Sequence, residues 1–440
     1  MSQDLHPLAA AANARLASEA PIILSMLSQR GRALYFPAQG ILAQGAEAKS
    51  RARFANATIG IATEDGEPMH LPCVQRYFRE LPAAEIYDYA PSAGRPELRR
   101  AWAAKQRREM PSLGAHPTSL PVVTQALTHG LALVGELFLD PGDEVLTSDL
   151  MWENYALLWE TRLGARLCTF PLFDARLSGL DLAGLRAALA ARHGRKLMVV
   201  LNFPNNPSGY TPTPAEAAAI VAALSEAAAA GTRLIAVCDD AYYGMFFDEA
   251  SEREPLFGKL AQAHPNLLAV KIDGATKEAF VWGLRIGFIT YGCAGGTPAV
   301  YEALEQKTAG LIRATVSNVS MPGQSIVLRL LQDPAFRDQQ GAKIALLRRR
   351  AAATMQAARS PEHADCWDVY PFNSGYFMCL RLKGATAEAV RQELLQTHGV
   401  GTIALGERQL RVAFSCLSET QIAEVFARIA QAVRTVRGRQ

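Results

Sequence analysis

The chain has 440 residues, of which 49% are hydrophobic, and its 45 lysines and arginines nearly balance 42 aspartates and glutamates. This length allows two domains with cores of their own, and a formal net charge of +3 favours neither nucleic acid nor an anionic membrane as a partner. Seven cysteines without a Cys-x-x-Cys pair argue against a disulfide framework, eight histidines without paired spacing argue against a metal site, and no apolar run approaches membrane-spanning length. A cytoplasmic location is expected.

Short apolar strands alternate with helices from about residue 120 to about residue 292. The strands are predicted at residues 121–124, 144–147, 166–169, 196–201, 234–238, 267–272 and 286–290. The clearest helix follows the capping box of Thr213 and Glu216, with proline at its first position, and stops at Gly231. This alternation predicts an α/β fold with a mostly parallel central sheet covered by helices on both faces.

The first functional signal follows the strand at 121–124. A turn there leads into an apolar helix. The backbone N–H groups at a helix start lack partners within the helix and point their dipoles at an anion. This helix start is therefore a candidate phosphate site.

Two later strands also end in polar groups. Strand 196–201 runs into the turn Asn202-Phe-Pro-Asn-Asn-Pro-Ser-Gly-Tyr210, and strand 234–238 runs into Asp239, Asp240 and Tyr242. A carboxylate at a buried strand end is costly unless it meets a cation. Because adjacent side chains of an extended segment point to opposite sides, only one of the two aspartates can face a ligand.

The most informative motif is Asp273-Gly-Ala-Thr-Lys277, which follows the buried strand at 267–272. Arg285 comes eight residues after the lysine. A lysine just past a strand end can form a Schiff base, and an arginine one loop away can hold a phosphate.

In this order and spacing the motifs resemble those of the pyridoxal-phosphate (PLP) aminotransferases of class I/II, which have the aspartate aminotransferase fold type I. The resemblance runs from about residue 55 to about residue 414. It implies that Lys277 holds the cofactor, that Asp239 meets its pyridine nitrogen, and that Tyr242 and Asn206 meet its phenolic oxygen. Arg285 and the backbone at Ala126, Leu127 and Thr128 would bind its phosphate. Asp240 is expected to cap backbone or to meet solvent.

Further matches extend the implied site. Trp152 would lie on the cofactor face, the alternative being a tryptophan buried against the following helix. Tyr89 would reach the phosphate of a partner subunit in a homodimer with shared active sites, the alternative being half-buried packing. Gly60 would lie over the substrate. Arg411 would bind the substrate carboxylate, unless it points outward from an edge strand.

Three positions depart from the aspartate aminotransferases. Gly274 stands where they carry a serine that binds phosphate, and Leu127 stands where Ser, Gly or Ala is usual. Arg313 matches an arginine that enters the neighbouring site and binds a distal carboxylate, but Val316 replaces the tyrosine that follows it. Arg313 could instead be an interface residue. The basic run 348–350 is interpreted as a solvated helix face.

The resemblance implies a large PLP-binding domain at 71–325 and a smaller, discontinuous α+β domain built from 1–70 and 326–440. It implies ping-pong transfer of an amino group between an L-amino acid and a 2-oxo acid, with acidic substrates such as aspartate or glutamate favoured because Arg313 would otherwise lack a partner. The alternatives are an aromatic or broad-specificity aminotransferase and a PLP β-lyase on the same fold. A remote alternative is the effector-sensing domain of a transcription regulator, which would need a DNA-binding module before residue 70.

Overall fold

The protein is represented by a computed structural model that describes residues 5–37 and 40–439. The strands are β1 (Ala55–Asn56), β2 (Thr63–Glu64), β3 (Glu67–Pro68), β4 (Val122–Gln125), β5 (Glu144–Ser148), β6 (Arg166–Phe170), β7 (Lys196–Asn202), β8 (Arg233–Asp239), β9 (Leu267–Gly274), β10 (Ile286–Cys293), β11 (Trp367–Val369), β12 (Met378–Leu382), β13 (Val400–Gly401), β14 (Ile403–Leu405) and β15 (Gln409–Val412).

The helices are α1 (Pro7–Glu19), α2 (Pro21–Met26), α3 (Gln29–Ala33), α4 (Ile41–Arg51), α5 (Pro72–Glu80), α6 (Pro96–Glu109), α7 (Ala126–Phe138), α8 (Leu182–Ala190), α9 (Pro214–Ala229), α10 (Leu256–Leu260), α11 (Ala275–Glu278), α12 (Pro298–Thr315), α13 (Met321–Gln332), α14 (Ala335–Ala358), α15 (Ala387–Glu393) and α16 (Glu419–Gly438). Two π-helical turns, at Ala156–Thr161 and Leu394–His398, add to them. Within the described ranges, none of the helices combines the length and apolarity that crossing a membrane requires.

The central sheet has seven strands in the order β4, β10, β9, β8, β7, β5, β6. The strands from β9 to β6 run parallel to one another, and β10 is antiparallel to both of its neighbours. The predicted α/β fold with a mostly parallel sheet is therefore confirmed, and each observed strand boundary lies within three residues of the predicted one.

The apolar strands form this sheet because both of its faces are covered. In β7, Leu197 and Val199 join the core under α9, whereas Met198 and Val200 join the core under α7 on the other face. The capping box predicted for α9 is present, with the Thr213 hydroxyl accepting from the Glu216 N–H. Burial on both faces explains why these strands read as continuous apolar runs.

A second sheet of four antiparallel strands, β11, β12, β15 and β14, packs with α14 and α16. The N-terminal part packs beside it: β1 pairs in parallel with β13 in a separate two-stranded sheet, and Ala55 and Val400 belong to the same core as the four strands. This arrangement agrees with an α+β unit built from both ends of the chain. The domain boundaries near residues 70 and 325 stay a prediction.

The two sheets meet at the turn that follows β7. Gly209 there has φ +74° and lies so close to the C-terminal part that a Cβ would sit 2.0 Å from the Phe377 carbonyl oxygen. The Gly209 carbonyl accepts from the N–H groups of Asn373 and Ser374, both at 2.9 Å. Only glycine allows this approach, which brings β15 and the carboxyl ends of β7, β8 and β9 to one place.

Candidate active site

Lys277 lies in α11, directly after β9. Its Nζ is 4.8 Å from the centroid of the Tyr242 ring, and the Tyr376 hydroxyl donates to its backbone carbonyl at 3.2 Å. Burial lowers the pKa of Lys277 to about 8, with Asp239 opposing this shift and Arg285 adding to it. A neutral amine is the nucleophilic form, so this environment prepares Lys277 to attack a carbonyl carbon near neutral pH.

Asp239 ends β8 and is 3% exposed. Its Oδ2 accepts from the Tyr155 hydroxyl at 2.5 Å, and its Oδ1 accepts from the Ala241 N–H at 3.2 Å. Burial raises the pKa of Asp239, while the bond from Tyr155 and the charge of Lys277 oppose the rise. Because no cationic side chain among the described residues pairs with it, the carboxylate would gain most from a ligand that brings a positive charge.

Asp240 faces the opposite side of the strand, as the alternation of side chains predicts. It is 6% exposed and forms an ion pair with Lys271, which is fully buried and lies 3.5 Å from Asp273. Burial raises the pKa of Asp240 to about 7 against the opposing charge of Lys271. The expectation that Asp240 caps backbone or meets solvent is therefore wrong, because a buried lysine of the neighbouring strand needs its charge.

The candidate phosphate site brings Arg285 to the start of α7. The Ala126 N–H donates to the Arg285 carbonyl at 2.9 Å, and both residues adopt left-handed backbone, with φ of +58° and +55°. Such conformations cost roughly 1–3 kcal/mol each outside glycine and cluster at ligand sites. Leu127 and Thr128 follow in the first turn of the helix, where N–H groups point outward along the axis.

Gly274 and Gly287 let two strands approach this helix start. A Cβ on Gly287 would lie 2.7 Å from the Ala126 carbonyl carbon, and one on Gly274 would lie 2.6 Å from the Ile286 carbonyl oxygen. The position where aspartate aminotransferases carry serine thus has no room for a side chain here. A phosphate at this helix start would therefore receive no side-chain ligand from position 274.

Arg411 ends the site on the side of the second sheet and is 2% exposed. Its Nη1 donates to the Asn206 side-chain oxygen at 3.2 Å, and its Nη2 donates to the Thr58 carbonyl at 3.0 Å. Its guanidinium carbon lies 4.2 Å from the centroid of the Phe377 ring. The alternative of an outward-pointing edge residue is wrong, because this guanidinium is buried beside the other site residues.

Gly60 completes this side of the site. The position of a Cβ on it would lie 3.8 Å from the Phe377 ring and 3.9 Å from the Tyr242 hydroxyl.

The Arg411 Nε has no hydrogen-bond partner among the described residues although it is buried. Burial also lowers the pKa of this guanidinium. A carboxylate ligand would supply the missing acceptor.

Two residues not singled out in the sequence connect the site. Asn202 donates to the Asp239 carbonyl at 2.9 Å and accepts from the Asn206 N–H at 2.8 Å. Tyr155 joins Asp239 to Trp152, whose half-buried ring meets the tyrosine edge-on with centroids 5.7 Å apart. The available signals were a polar residue at the end of a buried strand and an aromatic residue three positions after Trp152.

Tyr89 and Arg313 lie outside this cluster. Tyr89 is 90% exposed, and Arg313 is exposed at the end of α12, where it donates to the Ser317 hydroxyl at 2.5 Å. The loop of Tyr89 is joined to the turn after α12 by the Ser92 hydroxyl, which donates to the Ser317 carbonyl at 2.9 Å. Both side chains therefore lie on connected surface segments, and within the described part of the chain neither forms a hydrogen bond with a residue of this cluster.

The clustered groups fit pyridoxal phosphate. A buried carboxylate without a cationic partner suits a protonated ring nitrogen, a lysine with a lowered pKa suits an aldehyde, and a helix start with an arginine suits a phosphate. Within the ranges that the structure describes, no group of three or more His, Cys, Asp and Glu side chains could hold a metal ion.

Comparison with known proteins gives a family and a fold. Residues 60–429 match the sequence profile described as aminotransferase class I and II. A probable N-succinyldiaminopimelate aminotransferase of Mycobacterium tuberculosis is 30% identical over 249 residues, which make up 56% of this chain and 58% of that protein's length. The 2-aminoadipate transaminase of Thermus thermophilus is 27% identical over 356 residues, or 79% of this chain and 81% of that protein. The solved structure of an aminotransferase from Anaerococcus prevotii matches 93% of this chain and 99% of its own with a TM-score of 0.81 at 21% identity.

Proposed function

Because the chain belongs to the class I and II aminotransferases, a family of pyridoxal-phosphate enzymes, we propose that it moves an amino group between an L-amino acid and a 2-oxo acid. The observation that carries the proposal is the pair of Lys277 and Asp239. Asp239 is buried at the end of β8, and the half-buried Lys277 follows the end of the adjacent parallel strand β9. The lysine has a lowered pKa, and the carboxylate has no cationic partner among the described residues.

The cofactor-binding roles are proposed for the residues as follows. Lys277 would hold the cofactor at its aldehyde carbon, and its amine, once freed by an incoming amino acid, would take the proton from the substrate Cα. Asp239 would keep the ring nitrogen protonated. When bound, the cofactor would supply an electron sink for the Cα–H bond. Tyr242 and Asn206 would meet the phenolic oxygen, and Trp152 would lie on the ring face.

The phosphate is held without a serine at position 274. Arg285 supplies a positive charge, and the N–H groups of Leu127 and Thr128 supply hydrogen bonds along the α7 dipole. The Ala126 N–H is already bonded to the Arg285 carbonyl, so Ala126 contributes the backbone that starts the helix.

Arg411 binds the α-carboxylate of the substrate with two parallel hydrogen bonds, beneath Gly60. Two bonds fix the angle of the Cα–H bond to the cofactor ring, which decides how readily this bond breaks. The buried guanidinium with an unpartnered Nε supports this role.

For the substrate side chain we propose an acid, bound by Arg313 of a second subunit. The exposure of Arg313 and Tyr89 on connected surface segments supports a homodimer in which both residues reach the partner's site. The relative named a 2-aminoadipate transaminase acts on an acidic amino acid, in keeping with this choice. An aromatic substrate is the second candidate.

The test measures kcat/KM for aspartate, glutamate, 2-aminoadipate, phenylalanine and alanine with the purified holoenzyme. Arg313→Ala should lose about tenfold or more with the acids and little with alanine, because one charge-assisted pair is removed. Lys307→Ala removes an exposed charge from another face of the same helix and should change nothing. Unchanged selectivity in Arg313→Ala, or a wild type that ignores acids, would contradict the proposed substrate class.

Two further measurements distinguish transamination from β-lyase chemistry and a dimer from a monomer. Formation of a 2-oxo acid together with the amine form of the cofactor indicates transamination, whereas pyruvate with released ammonia indicates a β-lyase. Light scattering should give the mass of a dimer, and a stable, active monomer would contradict the shared site.

A further inference from the structure

The basic run at 348–350 is not uniformly solvated. Arg348 and Arg349 are exposed, as expected, and Arg349 pairs with Glu419. For Arg350 the expectation is wrong, because this side chain is 5% exposed and lies inside the protein. α14 therefore turns one arginine of the run inward.

Arg350 is held by carbonyl groups. Its Nη1 donates to the Thr63 carbonyl at 2.7 Å and to the Ser415 carbonyl at 2.6 Å. None of the carboxylates in the described part of the chain forms an ion pair with it; Glu64 and Glu419 attract it only from a longer distance. Burial lowers the pKa of the guanidinium. Burying a cation without an anionic partner costs free energy. The two hydrogen bonds to these carbonyls are the contacts that the buried Arg350 makes in the structure.

The two carbonyls belong to the segments that border the substrate side of the site. Thr63 begins β2 directly after the loop 57–62, which carries Gly60, and Ser415 lies four residues after Arg411. The Ser415 hydroxyl donates to the Ile61 carbonyl at 2.8 Å within the same loop.

The same loop also meets Arg411 directly, because the Arg411 Nη2 donates to the Thr58 carbonyl at 3.0 Å. Arg350 adds a bond to each segment from a third element, α14. It thereby fixes the distance between the loop over the substrate and the strand that carries Arg411.

We propose that Arg350 is a positioning residue that aligns the loop of Gly60 with Arg411 and so sets the affinity of the site for substrate carboxylates. The inference rests on the proposed function and deepens it. Arg350 forms no hydrogen bond with Lys277 or Asp239, so the attachment of the cofactor does not depend on it. Its removal should act on KM far more than on kcat.

The experiment compares Arg350→Gln with Arg349→Gln, a matched loss of charge from the neighbouring exposed residue, in the holoenzyme. Arg350→Gln should raise KM for both the amino acid and the 2-oxo acid about tenfold or more, as expected for lost hydrogen bonds from a charged group. It should change kcat less than about threefold and leave the pH midpoint of the cofactor absorbance unchanged. The KM values of Arg350→Lys should lie between those of wild type and Arg350→Gln, and the KM values of Arg349→Gln should match those of wild type.

Binding of succinate, followed through the cofactor absorbance, reports on the site without turnover. Its dissociation constant should rise in Arg350→Gln in step with KM. Normal KM values and succinate affinity with only a lowered unfolding temperature would overturn the proposal, because Arg350 would then serve stability alone. A shifted absorbance midpoint would overturn it too.

If Arg350→Gln yields no soluble holoenzyme, Arg350→Lys decides. It keeps the buried charge but replaces the planar guanidinium that reaches both carbonyls, and KM should rise severalfold, whereas an unchanged KM would overturn the inference. A wild type that transaminates none of the amino acids would refute the proposed function instead, and the succinate affinities would still decide the role of Arg350.

Discussion

Asp239→Asn removes a buried negative charge and keeps the shape of the side chain. An oxygen remains to accept from Tyr155 or from the Ala241 N–H. If Asp239 pairs with the protonated ring of the cofactor, removing it leaves a buried cation alone, which costs about 3–5 kcal/mol. At 1.36 kcal/mol for each factor of ten, kcat/KM should fall by between about a hundredfold and several thousandfold.

The same substitution, Asp239→Asn, should not lower the stability of the cofactor-free protein. Burial raises the pKa of Asp239, so the folded state without cofactor disfavours the charge, and a neutral asparagine should leave the unfolding midpoint unchanged or higher. The substitution should therefore separate activity from stability.

Asp240→Asn is the matched control on the other side of the strand. It leaves the fully buried Lys271 without its partner, and the unfolding free energy should fall by about 3–5 kcal/mol, less whatever Asp273 at 3.5 Å restores. Its kcat/KM should stay within about tenfold of wild type. Steady-state kinetics of the holoenzymes and thermal unfolding of the cofactor-free proteins measure both effects. Equal losses of rate in the two variants, or a loss in Asp240→Asn alone, would refute the assignment.

Four further outcomes are expected. Lys277→Ala should lose the yellow absorbance and turnover while far-ultraviolet circular dichroism is retained; a comparable rate of transamination would rule out this lysine. The pKa of Lys277 is lowered to about 8, so its amine becomes neutral around that pH. The rate at which the cofactor-free protein binds pyridoxal phosphate should therefore rise with pH around a midpoint of about 8. A midpoint at the ordinary lysine pKa would contradict the argument that burial lowers the pKa of Lys277. Tyr155→Phe removes a hydrogen bond to the Asp239 carboxylate and should lower kcat/KM about tenfold. An unchanged rate together with an unchanged cofactor absorbance would show that this hydrogen bond has no part in the function of Asp239. Gly274→Ser should lower the unfolding free energy by about 1–3 kcal/mol because its Cβ would meet the Ile286 carbonyl; a more stable variant with tighter cofactor binding would show that the strands can separate.

Much of the fold could be predicted because its signals are local. The strands of the central sheet are short apolar runs between turn residues, and α9 carries its capping box and its stop within its own segment. The opposite directions of Asp239 and Asp240 follow from the pleat of any extended chain. The position of Lys277 directly after a buried strand is likewise readable from the order of residues.

The sequence by itself therefore determined the sheet, the order of the motifs and the residues that end its strands, since backbone geometry and side-chain alternation need no distant contact. Only the tertiary structure decided which partners those residues meet. Lys271 for Asp240, Tyr155 for Asp239 and the inward turn of Arg350 all join elements that are far apart in the chain. Such pairings depend on how sheets and helices pack. Arg349 is exposed and its neighbour Arg350 is buried, because one helical step rotates a side chain by about 100°.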